Sequence, residues 1–103
     1  MHIVARGALI SFYNQPQYAD AKGALDAWYE IVRLAKWASP TDVKAQFANA
    51  SIVGNNRVVF NIKGNDYRLV VAIAYRMQWV FIKFIGTHAR YGAIDAATVD
   101  QSK

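Results

Sequence analysis

From Ala24 to Trp37 the apolar side chains Leu25, Trp28, Val32 and Ala35 recur at helical spacing, while Asp26, Glu30, Arg33 and Lys36 fall mostly off that stripe. The pattern predicts a helix with one face packed on a sheet. Ser39-Pro40 ends it, and Thr41 is placed to cap a short helix finishing near Phe47, with Gln46 late for a capping partner. Ahead of these, His2 to Val4 fits a short strand, and Gly7 to Tyr13 begins a helix that Asn14, Pro16 and Gly23 interrupt or bend.

After Ala50 the period changes. Gly54-Asn55-Asn56, Gly64-Asn65 and Met77-Gln78 punctuate runs rich in Val, Ile, Phe and Tyr, the pattern of a strand meander. Helices followed by consecutive strands favour an α+β fold over an alternating parallel one. A length of 103 residues is that of one domain, so residues 1–103 are expected to share one core.

Strand parity sharpens the expectation. A two-residue Gly64-Asn65 loop sets Lys63 opposite Asp66, Asn61 opposite Arg68 and Phe60 opposite Leu69. Val58, Phe60, Ile62, Leu69, Val71 and Ile73 then share an apolar face, while Arg57, Asn61, Lys63 and Arg68 emerge on the other. A two-residue Met77-Gln78 turn pairs Ala72 with Lys83 and Val71 with Phe84, adding Lys83 to the polar face and Phe84 to the core and bringing Thr87 near Arg68. A longer turn or a bulge would move Lys83.

Composition narrows the chemistry. Three Trp, six Tyr and five Phe, with abundant Val, Ile and Ala, supply a core without metal or covalent staples. The absence of Cys removes disulfides, thiolate catalysis and Cys-based zinc sites, and His2 and His88 alone make a poor metal set, so neither metal nor cofactor is expected. Polar residues interrupt the amino-terminal apolar stretch before a signal-peptide core is complete, and no apolar run approaches the roughly 18 residues of a membrane span. A cytoplasmic protein without a membrane partner is the expectation.

The net charge of +5 suggests an anionic partner, and its distribution says more. Arg57, Lys63, Arg68, Arg76, Lys83 and Arg90 face one acid, Asp66, between positions 57 and 90, whereas the preceding residues are nearly balanced. A sheet face carrying Lys63, Arg68 and Lys83 can neutralise a phosphodiester, with Asn61 or Asn65 adding directional hydrogen bonds. The same cations also serve as ordinary solubilising side chains on an exposed sheet face. Thr87 can cap a short helix through Tyr91, placing His88 at its positive end. His88 is open to a structural reading too, because no Ser-His-Asp set or HExxH spacing accompanies it. Tyr67, Tyr75 and Tyr91 either fill the core or stack on an RNA base, with Tyr75 assigned to packing and Tyr91 to function. Trp79 and Phe81 share the parity of Lys83 and are left between stacking, a second buried face and partner contacts.

The run Val59-Phe60-Asn61-Ile62-Lys63-Gly64-Asn65-Asp66-Tyr67-Arg68-Leu69-Val70, followed by Phe84-Ile85-Gly86-Thr87-His88-Ala89-Arg90-Tyr91, resembles the HigB toxin family. The resemblance implies a RelE/ParE-like α+β fold, with amino-terminal helices on an antiparallel sheet and a short carboxy-terminal helix near the active surface. It implies a HigA-like antitoxin with a helix-turn-helix domain, and DNA association only through that partner. The implied activity is metal-independent cleavage of messenger RNA on the ribosome, the RNA 2′-hydroxyl attacking the adjacent phosphate and expelling the 5′-oxygen.

Carried onto this chain, the matched positions are Asn61, Lys63, Asn65, Tyr67 and Arg68 in the first run and Thr87, His88 and Tyr91 in the second. His88 is the candidate general acid or base, because an imidazole exchanges a proton near neutrality. Lys63 and Arg68 are assigned to developing phosphate charge, and Tyr91 to base orientation or proton transfer. Asn61, Asn65, Tyr67, Lys83 and Thr87 complete the expected RNA-binding set, Lys83 on register alone. The chain departs at Arg90 and Gly92, where the family-like run THAEYD carries an acidic residue and an Asp; a changed active-site rim, altered antitoxin contacts and reduced catalysis all stay open. Two other readings remain: a noncatalytic RNA- or ribosome-binding module, and a toxin directed at a protein such as DNA gyrase.

Overall fold

Alternation of apolar residues after Ala50 gives the fold its frame. The computed structural model describes residues 1–101. Strand β1 (His2–Val4) is followed by α1 (Arg6–Tyr13), a 3-10 turn (Pro16–Ala21), α2 (Lys22–Leu34) and α3 (Pro40–Gln46). The meander β2 (Ser51–Val53), β3 (Arg57–Ile62), β4 (Tyr67–Ala74) and β5 (Trp79–Thr87) comes next, then α4 (His88–Tyr91). The sheet order is β1-β5-β4-β3-β2, with β1 parallel to β5 and every other pair antiparallel. The α+β architecture expected from the sequence is the one observed. Among the described residues no helix is long and apolar enough to cross a membrane.

The stripe on α2 does what its spacing dictates. Leu25, Trp28 and Val32 are buried with Leu9 and Phe12 of α1 and Val43 of α3, against Val58, Phe60, Ile62, Leu69, Val71 and Ile73. The helix boundaries differ from expectation at both ends. Gly23 lies inside the first turn, where its missing side chain faces open space, so it does not break the helix. At the other end α2 stops at Leu34, because Ala35 turns extended (ψ 154°) and the amino-terminal ammonium donates to the carbonyls of Arg33 and Ala35 at 3.3 and 2.7 Å. Those acceptors have lost their helical donors, and the start of the chain supplies a replacement. Trp37, expected at the helix end, instead occupies a buried loop, its indole N–H donating to Gln46. Ser39, not Thr41, precedes α3, since Pro40 takes the first helical position.

The β3–β4 hairpin keeps the expected register: Asn61 pairs with Arg68 and Phe60 with Leu69. Its loop is shaped differently, with Lys63 and Gly64 in the left-handed region (φ 53° and 63°). The β4–β5 connection corrects the sequence reading. Ala74 pairs with Trp79, making Tyr75–Gln78 a four-residue turn, and a bulge lies between Val70/Val71, across from Lys83. Ala72 therefore faces Phe81, not Lys83, and Val71 faces Ile82, not Phe84. Gln78 causes the first change: it adopts φ 60° while its side-chain amide donates to the carbonyls of Trp37 and Tyr75, both at 2.7 Å.

The second face of the sheet is not the open cationic surface expected. Val59, Val70 and Phe84 form a separate buried cluster there, packed by Val53, Tyr91, Ile94, Ala96 and Val99. The segment after α4 crosses this face and is pinned by hydrogen bonds. Asn55 donates to Ala97 O at 2.8 Å, and Arg57 to the carbonyls of Ala96 and Val99. At its end, Gln101 fills the edge of β5 beyond the last β1 pair at Phe81, donating to Lys83 O at 2.8 Å and accepting from Ile85 N at 3.1 Å.

Candidate active site

Three pieces of backbone meet at one corner: the β3–β4 loop, the start of β4 and the short helix α4. Thr87 caps α4 as its sequence position suggests, its hydroxyl accepting from Arg90 N at 3.2 Å. The backbone N–H of His88 donates to Asp66 O at 3.2 Å and ties α4 to the loop. His88 itself is exposed, and among the described residues nothing hydrogen-bonds its imidazole. A side chain held by its backbone with a free ring is available to a substrate.

Arg68 sits on the tail-covered face between Asn61 and Gly86. Its guanidinium donates to the carbonyls of Asn65 and Tyr67 at 3.1 and 3.4 Å and lies 5.9 Å from the centre of the Tyr91 ring. Among the described residues no carboxylate pairs with it. Tyr91 in turn rests 6.4 Å from the Phe84 ring. Gly86 leaves room for the Phe84 ring, because a Cβ there would come within 2.7 Å of the ring tip. Arg68, Tyr91, Thr87 and His88 are thus brought together, with Asn61 and Asn65 exposed beside them.

Lys63 and Tyr67 belong to a different group. Lys63 pairs with Asp20 at 2.6 Å and with Asp66 at 3.6 Å, and Tyr67 donates its hydroxyl to the other oxygen of Asp20. The Tyr67 ring is buried with Phe12 and Tyr18 on the helix side of the sheet. The left-handed Lys63 backbone therefore turns its ammonium away from Arg68 and toward the helix layer, correcting the expectation that the two cations share a face. The hydrogen bond from Lys63, then that from Tyr67, holds the Asp20 carboxyl below its ordinary value. The same bond raises Lys63, and the bond to Asp20 together with burial pushes the Tyr67 hydroxyl up to about 12. This phenol keeps its proton at neutral pH and binds a carboxylate, so its position is that of a brace.

Lys83 does not reach the corner. It lies at the bulge, four residues before Thr87, within 3.3 Å of Asp100 and 5.7 Å of the Phe81 ring centre. Arg90 does lie at the corner, exposed, beside a cavity of ≈ 200 Å³ that Ser11, Gln15 and Gln101 also line.

Sequence reasoning missed Asp20, the Gly86–Phe84 contact and the tail. Asp20 gave no local signal, its partners being 43 and 47 residues away. The glycine was visible within the matched run, but only the ring above it explains why it is there.

Chemically, the corner offers an exposed imidazole, a guanidinium that no carboxylate of the described residues pairs, an aromatic face and amide groups. Compared with known families, residues 21–94 match the model of HigB_toxin, a RelE-like toxic component of a toxin-antitoxin system. Among curated proteins none matches the chain.

Proposed function

The chain belongs to the HigB toxin family, the RelE-like toxic components of toxin–antitoxin systems, and from that premise we propose that it is a ribosome-dependent endoribonuclease that cuts messenger RNA and blocks translation. The observation that carries this reading is the exposed His88 fixed at the start of α4 beside Arg68 and Tyr91. In the proposed reaction a base removes the proton of an RNA 2′-hydroxyl, whose oxygen bonds to the adjacent phosphorus. The bond from phosphorus to the 5′-oxygen breaks, and an acid protonates the departing oxygen. A cyclic phosphate and a free 5′-hydroxyl result.

His88 serves one of the two proton transfers. Arg68 stabilises the charge that grows on the phosphate oxygens, and Tyr91 offers a ring to a neighbouring base. Arg90, exposed on the same helix, adds positive potential where the family-like run has an acid. Thr87 acts through its cap, Asn61 and Asn65 contact RNA, and Lys63 with Tyr67 braces the loop that carries Asn65 and Asp66. The ribosome holds the messenger and supplies much of the reaction geometry, so free RNA is a poor substrate. A HigA-like helix-turn-helix antitoxin neutralises the protein in the cytoplasm and carries any DNA binding.

The test is to induce wild type and His88→Ala at matched levels in bacteria, following growth and mapping new 5′ ends on messenger RNA. Ends inside translated regions that vanish with His88→Ala are expected. Growth arrest without new ends would contradict the nuclease reading and direct attention to a protein target such as gyrase.

A further inference from the structure

The end of β5 remote from His88 carries a surface that the cleavage reaction leaves unused. Leu34, Met77 and Trp79 line a groove of ≈ 490 Å³ together with His2, Arg33 and Lys36. Five large apolar residues are exposed among those described, and three of them, Leu34 (68%), Met77 (60%) and Trp79 (36%), lie in this groove. A fourth, Ile31, precedes Leu34 by three residues on α2 and so adjoins it on the same side of the helix. Apolar surface concentrated in this way marks a binding site more often than scattered single residues do.

The groove is also built to stay in shape. Trp79 is braced between the His2 ring at 5.0 Å and the Phe81 ring at 5.8 Å. Met77 stands on the turn that Gln78 anchors to the carbonyls of Trp37 and Tyr75. Side chains already fixed lose little entropy when a partner arrives, and Trp, Met and Arg are the residue types that interface cores favour.

Charge selects the partner. Among the described residues no acid lines the groove, whereas Arg33 and Lys36 do, and Arg76 lies on the adjoining turn. Arg33 is paired with Glu30 at 2.8 Å, but among the described residues no carboxylate meets Lys36 or Arg76. An apolar floor with a cationic rim fits an amphipathic segment whose apolar side chains enter and whose acids meet the rim.

We propose that this groove is the docking surface for the antitoxin, taken by an acidic amphipathic segment of that protein. The inference rests on membership of a toxin–antitoxin family and not on the cleavage chemistry. Eight residue steps along β5 separate Trp79 from Thr87, about 26 Å at strand spacing. Docking and cleavage are therefore separable by mutation.

The experiment titrates the purified chain with the purified antitoxin of its own pair, by calorimetry. The double variant Leu34→Glu/Met77→Glu, both positions exposed enough to leave the fold intact, is expected to weaken binding about 100-fold. Lys36→Glu should weaken it about tenfold, and high salt should weaken wild-type binding. Melting temperatures are expected to match wild type, as is cleavage of messenger on ribosomes by the free variants. Affinity within twofold of wild type for the folded double variant would overturn the proposal. Salt-independent binding would overturn its acidic chemistry. A concentration-dependent dimer of the chain alone, abolished by the double variant, would assign the groove to a second copy and overturn it equally. Groove-dependent antitoxin binding by a chain that cuts no messenger would uphold the docking while removing the nuclease reading.

Discussion

The two faces of the sheet are both covered, but by different means and to different effect. On one, three helices contribute Leu9, Phe12, Leu25, Trp28, Val32 and Val43 to a continuous core around Phe60 and Leu69. On the other, Val59, Val70 and Phe84 are roofed by Tyr91 and an irregular tail held through Arg57, Asn55 and Gln101. The first face gathers apolar area, which sets stability. The second is only partly apolar, and where its cover ends at α4 it leaves Arg68 half-exposed and His88 exposed. Damage to the first face should therefore cost folding, and damage to the second should cost chemistry.

The largest effect is expected on the helix side. Phe60 is 1% exposed and meets the rings of Trp28, Trp37 and Phe47 at 5.5, 6.4 and 4.9 Å. Phe60→Ala should cost about 3–5 kcal/mol in urea unfolding. A loss near that expected for an exposed site would break the comparison. Gly86→Ala comes next and tests whether the tail side couples to the site. Its new methyl would strike the buried Phe84 ring, costing about 1–3 kcal/mol and displacing Tyr91. Cleavage should fall with it, whereas an unchanged rate would detach the Phe84–Tyr91 contact from the activity.

The Asp20 brace gives a sharper test through titration. Asp20 has its pKa lowered from an ordinary 3.8, so its contribution is complete above that value and is lost as pH falls through the lowered one. Tyr67 is raised from 10.0 to about 12, so its contribution is complete below pH 10.0 and is lost as pH rises toward 12. The brace should be constant across neutral pH. In Asp20→Ala the Tyr67 ring-carbon resonance should titrate closer to 10.0, and an unmoved midpoint would deny Asp20 its role. The smallest stability effect is expected for Arg68→Ala, within about 0.5 kcal/mol of wild type. Its ribosomal cleavage should nevertheless fall on the order of 100-fold.

The same contrast explains what could be read from the sequence. The helix side was legible because it repeats: 3.6-residue spacing on α2 and apolar residues at every second position of β3 and β4 point Leu25, Phe60 and Leu69 at one another. The first hairpin register followed from Gly64-Asn65 and that alternation. The second did not, because Lys83 lies opposite a bulge and Gln78 takes a left-handed backbone that nothing local announces. Lys63 was misplaced for a similar reason, its direction set by a left-handed backbone and by Asp20, 43 residues earlier. The tail after Tyr91 has no period at all; its bonds run from Asn55 and Arg57 to backbone carbonyls, which carry no sequence identity. Of the candidate site, the Thr87 cap of α4 was legible in the sequence, whereas the Arg68–Tyr91 contact and the His88–Asp66 backbone bond come from the fold.

The most direct test of the central claim is a single-turnover cleavage assay on purified ribosomes carrying a defined messenger, comparing wild type with His88→Ala at saturating protein. Efficient cutting by wild type is expected, with a rate lower by on the order of 10²–10⁴-fold for the variant and with ribosome binding and melting temperature retained. An unchanged rate in a folded, ribosome-bound His88→Ala protein, or no cutting by wild type, would contradict the claim.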